Sequence, residues 1–465
     1  MRTPIKVGIE ALYVYVPYYY VDNAALEVYT KAGTKHFTEG LGIKKFGIPS
    51  PDEDPASMAA TAASRLMDKC SIAPKHIFRI DTATESSLDN SRALVSDVVG
   101  MLEQKYGVGS FSHVLGYEQK FACVSGLERV LDSSAWCAAG WNDTTAKYAI
   151  VLATDHAKYN LNSAAEPTQG AAAAAMLIGA NPKLLEIVPG VRGSALRYEN
   201  MDFKKPLGRK KEDIPIVDGP RSIVSYLAEM EKAWRAFRFA AVNTQFIVPK
   251  QGECVLDHVD KLVYHNPYEK MVMSAFVALL IQEWKSLPRW REVTDVIGNR
   301  APETGADCLQ YYGDEAFSDF RRQFVKTDIY HKEFNQKVGS SLLAPGLVGD
   351  PFTASIFIGI DSMFENDKDD LTSKNVVLCG YGSGSHAVIQ AFTVPKGYEK
   401  IKKHMDLMQR LENRRELSMD EYRRIHEGKI APQDWPGDGR NRFQLRSIEA
   451  GRTKKKGNRE YSYAD

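Results

Sequence analysis

Residues 148–153 read YAIVLA, and residues 170–180 read GAAAAAMLIGA. The first run is short and apolar on every side, as a strand covered on both faces is. Such a strand needs helices above and below it, which points to layered α/β architecture. The second run fits either a small-residue strand or a buried helix, and periodicity alone does not separate the two.

Outward from these runs, strand-like and helix-like stretches alternate. Residues 77–84 read as a short strand. Residues 92–104 read as a helix with Leu94, Val95, Val98, Val99 and Leu102 on one face. Residues 57–67 carry helical spacing at Met58, Ala62, Leu66 and Met67. Residues 6–16 read as a strand and 24–32 as a helix. Further on come a strand at 261–264, a helix from 269 to about 284 and a strand at 376–380. The alternation predicts an α/β fold with a largely parallel sheet. The chain has 465 residues, more than one hydrophobic core usually serves, so two halves are expected. The break falls between Ala180 and Gly219, giving halves at 1–180 and 181–465. No sequence repeat relates them, so duplication is an expectation about architecture. From Lys400 the chain reads as charged and helical, and Ser418 opens an SMDE capping box that restarts a helix. The basic cluster at 452–459 reads as solvated.

Lys plus Arg number 60 and Asp plus Glu 59, so no global field steers the chain to nucleic acid or a membrane surface. No run of eighteen apolar residues occurs, and no membrane span is expected. Glu10 and Pro17 interrupt the apolar start, against a secretory signal. The terminal Tyr-Ala-Asp is not a lipidation or peroxisomal address. The six cysteines form no CxxC pair, which argues against a zinc site or disulfide scaffold. A cytoplasmic protein without metal is the expectation.

Four places carry candidate chemistry. Cys123, in GYEQKFACVSGL, stands at a turn into a helical stretch (Leu127, Val130, Leu131). The positive helix end would lower its thiol pKa and supply a thiolate acyl acceptor; a buried structural cysteine is the alternative. Glu85, in DTATESSLDN, stands at a strand end, the usual place for active-site groups of open α/β sheets. On local context alone, capping the next helix is the stronger reading. His265 ends the strand LVYH before Pro267 and could donate to an oxyanion, or be a satisfied half-buried imidazole. Residues 376–385, VVLCGYGSGS, run from a strand into a glycine-rich loop. That loop suits an oxyanion site or a plain turn, and lacks the dinucleotide fingerprint.

The motifs TESSLDNS at Thr84, FACVSG at Phe121, YNLNSAAEPTQGA at Tyr159, IPIVDG at Ile214, YHNPYEKMV at Tyr264 and YGSGSHA at Tyr381 occur in this order. Together they resemble the 3-hydroxy-3-methylglutaryl-CoA synthases of the thiolase superfamily over nearly the whole chain. EPTQGA and the tail around LENRRELSMDEY look closer to the bacterial type. The resemblance implies a thiolase-like fold of two related βαβ-rich halves, a homodimer, and condensation of acetyl-CoA with acetoacetyl-CoA. These CoA thioesters would be the small-molecule partners, and no cofactor is implied. By motif, Cys123 would carry the acetyl group, Glu85 would serve as general base and acid, and His265 would anchor acetoacetyl-CoA. Lys270 would meet CoA phosphate, and Ser383 with the Cys123 N–H would form the oxyanion hole. Thr168, Asp202 and Ser222 match pocket or supporting positions, and Asp89 a secondary acidic one. Asp350 stands where the family has Asn in GNxYTxS, Val124-Ser125 follow the nucleophile in place of Tyr or Ser then Gly, an expected basic residue is displaced to Lys35, and His386 is unlike the family. Alternatives are a polyketide-pathway synthase fed by acyl carrier protein, and a non-catalytic scaffold of the same fold.

Overall fold

In the computed structural model, strand β1 (Val7–Tyr15) is buried along its length and lies in the middle of a nine-stranded sheet. The description covers residues 5–32, 35–140, 147–209, 211–298, 308–451 and 454–464. The other sheet strands are β2 (Ile77–Ala83), β3 (Leu115–Gln119), β4 (Tyr148–Ala157), β5 (Gly170–Ala180), β6 (Leu185–Leu196), β7 (Lys261–Tyr264), β8 (Asn375–Gly382) and β9 (His386–Thr393). Their spatial order is β7-β8-β9-β6-β1-β5-β4-β2-β3.

Only the pairs β7–β8, β4–β2 and β2–β3 are parallel. The expected largely parallel sheet is therefore corrected to a mixed one. The physical reason is the connections: β8 reaches β9 through residues 383–385 alone, and so short a link can only return the chain antiparallel. The run 170–180 is a strand, β5, inserted between β1 and β4.

The two halves share one plan. In the first, the order β2-β4-β5-β1 has one parallel pairing followed by two antiparallel ones. In the second, β7-β8-β9-β6 repeats that order and those senses. They join where β1 meets β6 at Gly8 and Ile9. A Cβ on Gly8 would stand 2.1 Å from the Leu185 carbonyl oxygen, so only glycine fits this junction.

Helices fill three layers around the half-sheets: α1 (Pro55–Cys70) with α2 (Val95–Tyr106) on one outer face, α3 (Ser125–Ala139) with α6 (Ser355–Asn366) in the middle, and α4 (Gly219–Asn243) with α5 (Glu269–Trp284) on the other outer face. Ala171, Ala173 and Ala175 of β5 pack with α1, while Ala172, Ala174 and Met176 pack with α3 and α6. Small side chains on both faces let helices approach the strand from either side. The middle core contains Val130 of α3, Phe357 of α6, and strand residues of both halves, Val151 and Leu378 among them. Helices α4 and α5 cover the second half's outer face.

The tail departs from expectation. Its helix breaks into Glu399–Lys402, Leu407–Glu412 and Met419–His426. The last of these begins at the expected capping box, where the Glu421 N–H donates to Ser418 Oγ (3.3 Å) and the Ser418 N–H to Glu421 Oε2 (3.0 Å). Residues Arg442–Ile448 and Arg459–Ala464 form an antiparallel hairpin. The hairpin lies on the first half, not on the second to which 181–465 assigned it. Arg442, 1% exposed, pairs with Asp52 at 2.9 Å, and Tyr461 donates to Asp54 at 2.8 Å. Lys454, Lys455 and Lys456 of the basic cluster are exposed, whereas 452 and 453 lie outside the described residues. No helix among the described residues is long and apolar enough to cross a membrane.

Candidate active site

The site begins where β2 and β4 end side by side. Asp155, fully buried in β4, accepts from Thr84 Oγ1 (3.0 Å), the Glu85 N–H (2.8 Å) and Ser86 Oγ (2.8 Å). Its other oxygen accepts from the Thr353 N–H (3.0 Å) and hydroxyl. One carboxylate thus ties the turn after β2 to the segment before α6, and Glu85 is aimed by that turn. Opposite it, the chain turns sharply at Ala122 (φ 45°) and enters α3 two residues after Cys123. Cys123 Sγ donates to Glu85 Oε1 at 2.8 Å.

His265 directly follows β7 and is 2% exposed. Its N–H donates to the Cys379 carbonyl (2.8 Å), and its carbonyl accepts from Tyr226 Oη (2.8 Å). Its Nδ1 has no hydrogen-bond partner among the described residues. A buried polar atom left open in this way is a place for a ligand to bond.

Cys123 and His265 face a common cavity of about 540 Å³. Thr168, Ser222, Asp350 and Ser383 line it as well, so six of the nine candidates meet there. Glu85 stands behind Cys123. Asp202, fully buried, accepts from Tyr381 Oη at 3.1 Å and so supports a lining residue without touching the cavity. Lys270 is half-buried in the first turn of α5, outside the lining, although its neighbours Tyr268 and Met271 belong to it. The secondary candidates are elsewhere. Asp89 is exposed and accepts from the N–H groups of Ser91 and Arg92. Lys35 is exposed and paired with Glu39. His386 packs its ring on Phe121 (centroids 5.0 Å apart), behind the nucleophile turn.

Electrostatics revise one expectation. Burial, then the charges of Glu85 and Asp350, push the Cys123 thiol well above its ordinary range. The helix end does not deliver a resting thiolate, because two carboxyl groups and desolvation oppose it. Burial also lifts Glu85 to about 7, against the pull of Lys205. Burial and then Glu85 raise Asp350 well above the carboxylate range. Burial pushes His265 down to about 3, so the imidazole is neutral. At neutral pH the arrangement is a protonated thiol against a carboxylate poised between its two states. Such a pair can pass a proton from sulfur to oxygen as the sulfur attacks a carbonyl.

Asp155, Lys205, Arg209 and the aromatic wall of Tyr159, Phe203 and Phe352 join the site without being candidates in the sequence. The available signals were a carboxylate near the end of a buried strand (ATDHA) and a Phe-Lys-Lys-Pro segment before IPIVDG.

Residues 3–183 match the family model "Hydroxymethylglutaryl-coenzyme A synthase N terminal", and residues 186–430 match the corresponding C-terminal model. The chain is 33% identical over 398 residues to the hydroxymethylglutaryl-CoA synthase of Haloferax volcanii, covering 84% of each. It is 30% identical to the mitochondrial hydroxymethylglutaryl-CoA synthase of Mus musculus, over 95% of this chain and 86% of that one. Among solved structures, MvaS in complex with 3-hydroxy-3-methylglutaryl coenzyme A superposes with a TM-score of 0.80, at 27% identity and with 100% of both chains covered.

Proposed function

The chain belongs to the hydroxymethylglutaryl-CoA synthase family, and from that premise we propose that it condenses acetyl-CoA with acetoacetyl-CoA and water, giving 3-hydroxy-3-methylglutaryl-CoA and CoA, as a step toward isoprenoids. The observation that carries the reading is the 2.8 Å bond from Cys123 Sγ to Glu85 Oε1 at the edge of the His265 cavity.

Cys123 attacks the thioester carbon of acetyl-CoA as its proton passes to Glu85, and CoA leaves with a proton. Glu85, ionised again, then takes a proton from the methyl group of the acetyl thioester. The oxyanion hole, the Cys123 N–H with Ser383, stabilises the resulting enolate oxygen; such donors contribute roughly 3–4 kcal/mol. The enolate carbon attacks C3 of acetoacetyl-CoA, held by His265. A neutral imidazole can donate one hydrogen bond to that carbonyl without a net charge. Glu85 returns its proton to the alkoxide, and water cleaves the Cys123 thioester. No step requires a metal or redox cofactor.

Thr168, Ser222 and Asp350 shape the acyl pocket, Asp202 supports it through Tyr381, and Lys270 meets CoA phosphate as the ligand leaves the cavity beside α5. The same reading makes the protein a homodimer. All six cysteines are free thiols, which fits the cytoplasm. Incubation with labelled acetyl-CoA, followed by peptide mass spectrometry, tests the reading. Label on Cys123 that is discharged as 3-hydroxy-3-methylglutaryl-CoA on adding acetoacetyl-CoA is expected. Protein that takes up no label overturns it.

A further inference from the structure

The short strand Phe203–Lys204 pairs with Ile216–Val217 beside the cavity. Along it the side chains alternate. Phe203 lines the cavity, Lys204 turns outward to the Asn200 carbonyl (2.8 Å), and Lys205 turns back inward. Lys205 Nζ donates to the carbonyl oxygen of Glu85 at 3.2 Å and lies 4.5 Å from the centre of the Phe352 ring. Its position is fixed from two sides, by the turn that aims Glu85 and by the segment that carries Asp350.

Three carboxyl groups converge here. Asp350 and Asp155 are buried, Glu85 is bonded to Asp155 through its N–H and to Cys123 through its carboxylate, and the charges of Glu85 and Asp155 both act on Asp350. Carboxylates drawn together away from water repel one another and favour protonation, and a base that is protonated cannot take a proton. We propose that Lys205 is the positioning cation of this site: its ammonium fixes the Glu85 turn through the Glu85 carbonyl and supplies the positive charge that balances the carboxyl groups of Glu85, Asp155 and Asp350. This deepens the function proposed above and rests on Glu85 being its base.

The groups facing Glu85 agree with this. Lys205 is the leading opposite charge on Glu85, with Lys120 a smaller one, while Asp155 acts against them. It is also the leading opposite charge on Asp155 and acts on Asp350. Cys123 and Tyr159 feel the same carboxylates, and His156, pushed down to about 3 by burial, adds no positive charge at neutral pH.

Alkylation of Cys123 by iodoacetamide, followed across pH by peptide mass spectrometry, tests the assignment without any CoA substrate. Ionisation of Glu85 changes the reactivity of the thiol bonded to it, so the profile breaks at the pH where Glu85 titrates. Glu85→Gln identifies that break by abolishing it. Lys205→Met is expected to move the break upward by a unit or more. Lys205→Arg, which keeps the charge, is expected to leave it near the wild-type position, and in the condensation assay to keep neutral-pH activity about tenfold above that of Lys205→Met. An unmoved break in Lys205→Met overturns the proposal, as does an equal displacement in Lys205→Arg, which would make the effect one of packing. Acetyl transfer to the wild-type protein is measured in parallel. A break that moves in a protein that is never acetylated removes the proposed function and leaves the role of Lys205 standing.

Discussion

The backbone nitrogen of Asp350 lies 2.8 Å from the place a Cβ on Gly170 would occupy. A Cβ on Gly349, whose φ is +81°, would come within 1.7 Å of the Gln169 carbonyl oxygen. The two stretches are laid so closely together that neither glycine can carry a side chain. Through this contact, and the bond from the Asp350 N–H to the Thr168 carbonyl (3.1 Å), the start of β5 sets where Asp350 and Phe352 enter the cavity.

Gly170→Ala is therefore expected to cost about 1–3 kcal/mol of stability, as overpacked cores do, and to lower condensation more than tenfold by displacing Asp350. Gly100, inside α2, is the control: a Cβ there meets nothing within 4 Å, so Gly100→Ala should be neutral or stabilising by up to ~1 kcal/mol. Thermal melts of both variants check the contrast. Equal melting temperatures would show that the 168–170 contact yields freely.

Glu85 acts on Cys123 in two opposed ways. It accepts the thiol proton, and its charge holds that proton on. Removing it takes away both effects, so Glu85→Ala should still be acetylated by acetyl-CoA, within about tenfold of the wild-type rate. Nothing replaces it for the methyl proton, and condensation should fall by roughly 10³ or more, within the range of a lost general base acting on a weak carbon acid. Single-turnover acetylation and steady-state condensation, compared side by side, check this split. Equal losses in the two steps would count against it.

The tail reaches the cavity wall through Tyr422, which is 1% exposed. Its hydroxyl donates to Glu166 Oε1 (2.8 Å) and accepts from Gln169 Nε2 (2.7 Å), while Gln169 Oε1 accepts from the Tyr159 N–H (2.9 Å). Tyr422→Phe leaves two buried polar groups without this partner, at a cost of about 1–3 kcal/mol. Because the network holds the Tyr159 and Thr168 wall, KM for the acyl substrates should rise severalfold with a smaller change in kcat. A fall in kcat with KM unchanged would place the network elsewhere in the reaction.

These contacts explain what could and could not be read in the sequence. The strand 261–264 and the helix 269–284 were legible to the residue because an apolar run ends on His265-Asn-Pro. Glu85 and His265 follow strands and Cys123 precedes a helix, but these local features left each with a structural alternative, and only the motifs taken in order singled them out. The hairpin was not legible, because Arg442 and Gln444 are buried along with Phe443 and Leu445. Arg442 is neutralised by Asp52, a partner nearly four hundred residues away in the chain, so the polar residues of the strand gave no outward face to recognise. The thiol was misjudged for a related reason. Its helix is a local feature, whereas the burial that opposes it, and then the charges of Glu85 and Asp350, come from parts of the chain distant in sequence. Asp155 and Lys205 escaped notice because their partners, too, are distant in sequence.

Asp350 is one of the positions at which the sequence differs from the motif it resembles, and its surroundings say what a carboxyl group does there. It is 4% exposed, and Oδ1 accepts from the Phe352 N–H at 3.0 Å. Burial, then Glu85, holds the carboxyl group well above its usual range. A neutral carboxyl group has one O–H to donate, and in that form it can replace the amide of Asn. Asp350→Asn should thus keep activity within about threefold near neutrality and exceed the wild type once the pH is high enough to ionise Asp350. Stability gives an independent reading. A carboxyl group whose folded pKa is raised is equally protonated in both states below about pH 4, and there it makes no pH-dependent difference. Above that, the unfolded chain ionises first, and folding loses about 1.4 kcal/mol per pH unit until the folded group ionises too. Asn has no such loss. The melting temperature of Asp350→Asn should therefore match the wild type near pH 4 and exceed it by a growing margin as pH rises. A margin constant with pH would show that Asp350 is charged in the folded protein, and a variant inactive at every pH would assign the carboxyl group itself a role in the reaction.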